Sequence, residues 1–301
     1  MEEPKTPKTL TPITTRLKTL LRKTQTKLSG KKTPDLIIAA LTWFSAILTF
    51  SVLLSLIIYI VVGGLPHIKP SLFALNYSTE NVSLFPALVT TVMMVAVSLV
   101  VAVPFGVFSA IYLVEYASRD NKLVKVIRMT TETLSGIPSI IYGLFGWLFF
   151  VIWLGWGFSI LAGSFTLSIM ILPLIMRTTE ESLKAVPDAY REGAFGLGAG
   201  RLTTVFKIVL PAAAPGILAG IILSIGRIVG ETAALIHTAG TVAQVPPNLL
   251  ASGRTLAIHM YALSSEGLYI GQAYASALVL LVVVIAINAL SASLAKKLTK
   301  R

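Results

Sequence analysis

Glu192-Gly193-Ala194-Phe195-Gly196-Leu197-Gly198, followed ten residues later by Ile208-Val209-Leu210-Pro211, decides how this chain is read. The stretch is rich in polar and small residues, yet apolar runs near 160–180 and 209–236 flank it. Each run is long enough to cross a hydrocarbon core of about 30 Å at about 1.5 Å of rise per residue. The segment between them must then lie in water, as a connection presented by an integral membrane protein. Thr179 to Glu192 reads as helix interrupted at Pro187-Asp188, because proline suits the first turn of a new helix and not the interior of an old one. Glu192 and Ala194 fall on the short helix that begins there, and Gly193, Gly196, Gly198 and Gly200 permit close approach or a sharp turn. A short, exposed, punctuated helix suits a docking knob that a moving partner can hold, and the loop 179–211 is assigned that role.

Six apolar spans, near 36–62, 84–114, 124–153, 160–180, 209–236 and 273–295, predict an all-α integral membrane protein with six transmembrane helices. The composition agrees. Of 301 residues 55% are hydrophobic and 13% charged, with mean hydropathy +0.82, where a soluble domain carries about 25% charged residues. The first span is too long for the apolar region of a signal peptide, about 7–15 residues, and reads as a retained helix. Pro104, Pro138 and Pro173 fall inside spans, where a proline is expected to kink or break the helix. A further short helix is expected within Leu249–Leu263, at the membrane surface or re-entering the protein.

Lys and Arg set the orientation. A basic tail at 1–34 holds nine of them, and Arg119, Lys122, Lys125, Arg128, Arg177, Lys184, Arg191, Arg201, Lys207, Lys296, Lys297, Lys300 and Arg301 fall on the same side. The opposite side keeps Lys69 and Arg254. Both termini are therefore expected in the cytoplasm. Residues 1–34 read as a cytoplasmic tail drawn to anionic membrane lipid, and 35–301 as the six-helix domain. Without aromatic interleaving or a folded module to present it, the tail is not a nucleic-acid site.

Other chemistry is scarce. There are no cysteines, which excludes disulfides and thiolate chemistry, and His67, His237 and His259 have no metal-ligand spacing. Lys32-Thr33 lacks the glycine pattern of a phosphate-binding loop, so this chain is expected to bind no cofactor; any ATP and Mg²⁺ would sit on a partner. The constellation that stands out is Gly226-Arg227-Ile228-Val229-Gly230-Glu231-Thr232-Ala233-Ala234. Arg227 and Glu231, four apart, are expected to share a helix face and pair. Charge at membrane depth is costly and faces a cavity or a bundle interior, and an arginine fork suits an oxyanion. A structural bridge between helices is the other reading. Gly226 and Gly230 are expected to admit a neighbouring helix. Glu132 to Phe145, with Ser135-Gly136-Ile137-Pro138-Ser139 at its centre, should break the third helix and turn hydroxyls and free backbone groups toward a path. Arg177, at the end of the fourth span, is an interfacial anchor or an exit contact.

The spacing Glu192-x-Ala194-x3-Gly198-x9-Ile208-x-Leu210-Pro211 resembles the EAA loop of permeases in ATP-driven importers, departing at Gly193, where the family usually has alanine. With Leu134 to Phe145 and Gly230-Glu231-Thr232-Ala233-Ala234-Leu235, the chain is similar over residues 36–295 to the PstA-type permeases of bacterial phosphate importers. The resemblance implies the type I ABC importer permease (MetI-like) fold in the bacterial inner membrane. It also implies a heterodimer with a PstC-like permease, two PstB-like ATPase subunits and a PstS-like phosphate-binding protein, working by alternating access. Under it, Glu192, Gly193, Ala194 and Gly198 couple to the ATPase. Arg227, with Glu231, Arg177, Ser135 and Ser139, lines the substrate path. A permease for molybdate, sulfate or phosphonate is the near alternative, and a passive anion channel the distant one. An intramembrane enzyme lacks the nucleophile or metal residues it would need.

Overall fold

The computed structural model describes residues 33–118 and 121–299. All but the last two residues of the basic tail, together with Arg119, Lys300 and Arg301, lie outside them. The chain divides into two compact units after Tyr59. Helix α1, Thr33–Gly64, supplies the described part of the first unit; its apolar composition persists on every face, with Trp43, Phe44 and Phe50 exposed, as for a helix whose solvent is lipid.

The second unit contains α2 (Phe85–Tyr116), α3 (Lys122–Ser135), α4 (Ser139–Trp153), α5 (Ile160–Lys184), α6 (Asp188–Gly196) and α7 (Arg201–Val229). After these come α8 (Ala233–Ile236), α9 (Leu256–Glu266) and α10 (Ile270–Thr299). Five helices, α1, α2, α5, α7 and α10, are long and apolar enough to cross a membrane, and α3 with α4 makes a sixth candidate. Helix α5 is the centre of this unit: 67% of its apolar window is buried, against 28% for α2 and for α7. Leu167, Met170, Ile171 and Ile175 of α5 form the core with Met94 of α2, Ile228 of α7, Leu235 of α8 and Ile258 of α9. Hydroxyls join α2 to α5, Ser98 Oγ donating to Ser164 O and Ser168 Oγ to Ser98 O, both at 3.1 Å. Such bonds hold helices together where apolar burial against lipid gives no net drive.

The expected third span, 124–153, is two helices meeting at 103°. Pro138 cannot extend α3, and the Tyr142 hydroxyl donates to Leu134 O at 2.7 Å, which satisfies one carbonyl that the break releases. Pro104 and Pro173, by contrast, remain inside continuous helices. The expected fifth span, 209–236, also ends early. Helix α7 stops at Val229, Gly230-Glu231-Thr232 form a break, and α8 follows. The helices that follow the two breaks meet: a Cβ on Gly143 of α4 would stand 2.7 Å from Ala234 Cα of α8, so the absence of a side chain lets the backbones touch. The short helix expected within Leu249–Leu263 begins only at Leu256, and it packs inward through Leu256, Ile258, His259 and Leu263.

Candidate coupling helix and anion cavity

Helix α6 starts after Pro187 and ends in a left-handed cap. Gly198 has φ +81°, its N–H donates to Phe195 O at 2.9 Å, and Ala199 N–H donates to Ala194 O at 3.0 Å. These are the two bonds that close a helix whose next residue is a glycine at positive φ. Nothing lies within 4 Å of a Cβ built on Gly198, so conformation and not space requires glycine there. Ala194 faces inward at 5% exposure. Glu192 is exposed and makes no ion pair among the described residues. Leu197 is 91% exposed and Tyr190 and Phe195 are also exposed, an apolar set on a polar element, of the kind that marks a protein-binding surface.

The base of α6 is fastened by Arg191. Its guanidinium meets Glu115 at 2.7 Å, donates to Leu183 O and Val186 O at 2.9 Å, and reaches Asp188 at 3.1 Å. One side chain therefore ties α6 to the end of α2 and to two carbonyls at and just beyond the end of α5. Beyond the cap, the Arg201 guanidinium lies 5.2 Å from the Tyr116 ring centroid, a second tie to α2. Short polar contacts thus join α6 to α2 and to the end of α5.

Above this end of the bundle lies a cavity of about 290 Å³ lined by Arg128, Glu132, Ser135, Arg177, Glu180, Glu181, Lys184 and Arg227, among others. Glu180 pairs with both Arg128 at 2.8 Å and Lys184 at 2.6 Å, and Glu181 pairs with Arg177 at 3.0 Å. Arg227 is half-buried and has no carboxylate within 4 Å among the described residues. The register that places it there comes from α7 packing on α5. A Cβ on Gly216 would strike Ser182, and one on Gly220 would strike Thr178. Arg227 lies seven residues beyond Gly220, about 10 Å further along α7, at the level of Pro173 and Leu174, which line the cavity with it.

The family model for the inner membrane component of binding-protein-dependent transport systems matches residues 102–301. The chain belongs to this family. The probable ABC transporter permease protein YqgI of Bacillus subtilis is 30% identical over 254 residues, which cover 79% of this chain and 86% of that protein. The phosphate transport system permease protein PstA of Mycobacterium leprae is 34% identical over 220 residues, 72% of each chain. In fold, a subunit of a bacterial alginate ABC transporter, solved with an alginate-bound periplasmic protein, superposes with a TM-score of 0.65 at 16% identity, over 88% of this chain and 96% of that one. The chain is a PstA-type permease of an ABC importer: a transport subunit and not an enzyme, and a multi-pass protein of the bacterial inner membrane.

The permease brings Arg227, Arg177 and Ser135 to one cavity, while Ser139, at the start of α4, is not among its lining residues. Glu231 does not pair with Arg227. The helix has ended before it, and its Oε1 accepts instead from Ala234 N–H at 3.0 Å, fixing the start of α8. Within this chain no other described element lies within 4 Å of a Cβ on Gly226 or Gly230, whereas α5 packs against Gly216 and Gly220. The sequence reading also missed Glu115, 8% exposed and the partner of Arg191. Its signal was available: a lone carboxylate at the end of the apolar run Ile111-Tyr112-Leu113-Val114 has to find a counter-charge.

Proposed function

We propose that this permease is half of the translocation path of an ATP-driven importer of inorganic phosphate. The observation that carries the reading is Arg227, the cation of the cavity left without a carboxylate when Arg128, Lys184 and Arg177 have theirs. A half-buried guanidinium in low dielectric offers two parallel donors to an oxyanion. The relatives named as phosphate transport permeases support phosphate as that oxyanion.

In this account both termini and α6 lie in the cytoplasm, where Lys and Arg concentrate. A PstC-like permease completes the path, a PstS-like protein delivers phosphate on the far side, and two PstB-like subunits bind ATP and Mg²⁺. One of these subunits holds α6 by Glu192 and the exposed Tyr190, Phe195 and Leu197, with Gly193 leaving that face flat and the inward Ala194 and Gly198 setting the shape of the helix. ATP-driven closure of the pair moves α6, Arg191 and Arg201 carry the motion to α2, and the cavity alternates between the two sides. Phosphate meets Arg227, passes the hydroxyls of Ser135 and Ser139, and leaves past Arg177, whose exposed bond to Glu181 is weak enough to exchange. Glu231 acts indirectly by fixing the break between α7 and α8.

Arg227→Gln in the assembled complex is expected to abolish phosphate uptake while the ATPase subunits still bind. Uptake that survives in a complex of normal composition overturns the assignment. Glu192→Lys is expected to detach or uncouple the ATPase and leave phosphate binding intact.

A further inference from the structure

Among the described residues Arg254, like Arg201 and Arg227, makes no ion pair, and its setting is more unusual than theirs. It is 6% exposed, and its Nε and Nη2 are buried without a hydrogen-bond partner. A lone buried charge is costly, so it is normally paired or hydrogen-bonded. Here no carboxylate lies within 4 Å among the described residues. The two orphaned nitrogens form one edge of the guanidinium, the fork that meets two oxygens of a carboxylate or phosphate side by side. The ring of Tyr77 covers the face of the guanidinium at 4.7 Å, which fixes its plane and leaves that edge unused.

Two further unpaired polar groups share this neighbourhood. Thr90 Oγ1 is buried without a partner and packs beside Gly253, where a Cβ would stand 3.2 Å from it. His259 is fully buried, neither ring nitrogen has a partner, and its ring meets the edge of Tyr77 with centroids 6.2 Å apart. Burial, and after it the Arg254 charge, push the His259 pKa down to about 3. The imidazole is therefore neutral at pH 7 and can donate one N–H without adding a second positive charge. Arg254, Thr90 and His259 thus bring unpaired donors to one neighbourhood, and their chemical complement is an anion with several acceptor oxygens.

Its place in the fold matters. Arg254 and Thr90 sit where α2 and α5 begin, whereas Glu115 and Arg191 sit where those helices end. Thr90 and Glu115 are 25 residues apart on α2, roughly 35 Å along the axis. We propose that Arg254, with Thr90 and His259, forms a second oxyanion site, taking inorganic phosphate at the end of the bundle opposite α6, where substrate enters. This rests on the phosphate-importer reading given above. A small anion fits better than a side chain of a docked protein, because the fork is sealed within this chain.

The test is the melting temperature of the complex with its partner permease and ATPase in lipid nanodiscs, titrated with inorganic phosphate, sulfate or chloride at constant ionic strength. Phosphate should raise it saturably, since a ligand of the native state stabilises it. Arg254→Gln should melt no lower than wild type without phosphate, because a lone buried charge has gone, and should lose part of the phosphate-dependent rise. Arg227→Gln should retain the part due to Arg254, and the double variant should show none. Arg254→Lys, which keeps the charge and loses the fork, guards against misfolding and should need at least tenfold more phosphate for its half-maximal rise. An undiminished rise in Arg254→Gln, or one lost only together with the folded complex while Arg254→Lys behaves as wild type, overturns the proposal. A rise given by sulfate and not by phosphate, still dependent on Arg254, overturns the phosphate reading and leaves the anion site standing.

Discussion

Arg191→Met should loosen the base of α6 more than any other single change on that helix. The guanidinium is 15% exposed and its partner Glu115 8%, so removing it leaves a carboxylate buried without a counter-charge. Val186 O loses its guanidinium donor at the same time, and Leu183 O keeps the Val186 N–H. Breaking a buried pair from one side costs about 3–5 kcal/mol. Glu115→Gln is milder: the guanidinium keeps both carbonyls and Asp188, and the loss is that of one charge-assisted bond, about 1.5–3 kcal/mol. Replacing both partners, Arg191→Met with Glu115→Leu, removes the orphan as well as the bond and should recover much of the cost, giving a coupling energy of about 0.5–3 kcal/mol. Thermal unfolding of the purified complex should therefore rank wild type first, then Glu115→Gln, with Arg191→Met last and the double variant above it. In reconstituted vesicles, anion transported per ATP should fall in the same order among the single variants. If Arg191→Met melts like wild type and keeps its transport ratio, Arg191 is not the fastening described here.

Three other tests probe the same physics elsewhere. Gly198→Ala should cost about 1–2 kcal/mol because of its positive φ, whereas Gly193→Ala, with open space at the Cβ, should gain up to about 1 kcal/mol of helix propensity, both read from melting curves. Gly143→Ala should cost about 1–3 kcal/mol by pushing α4 off α8, while Gly136→Ala, whose Cβ would meet only Thr133 O at 3.5 Å, should be tolerated. His259 is held neutral in the fold and protonates near pH 6.5 when unfolded, so the unfolded chain binds the extra proton and stability should fall as pH drops from 6.5 toward 3. His259→Leu should flatten that acid limb, and an unchanged limb would show that another group governs it.

The sequence carried the apolar spans because hydropathy is summed over many residues. Five spanning helices, a sixth candidate in the bent pair and the loop 179–211 are legible for that reason, and the proline itself marked the break at Pro138. Local geometry was less so. The pairing of Arg227 with Glu231 assumed an unbroken helix, and Gly230 ended it one residue before the glutamate. Within the chain it is Gly216 and Gly220 that pack on α5, while Gly226 and Gly230 face no other described element. Arg191 with Glu115 joins residues 76 apart, and the cluster of Thr90, Arg254 and His259 joins two helices and a loop; no periodicity encodes such contacts. That the strings 134–145 and 230–235 meet at Gly143 and Ala234 was equally invisible until both helices had been placed.

The central claim is that this permease moves phosphate under the control of a separate ATPase. It is tested most directly by radiolabelled phosphate uptake into proteoliposomes holding this chain with its partner permease, ATPase and binding protein. Uptake that requires ATP on the ATPase side, and that excess phosphate suppresses while sulfate and molybdate do not, is the expected result. ATP-dependent uptake of another oxyanion would contradict the substrate, and phosphate flux without ATP would contradict the importer itself.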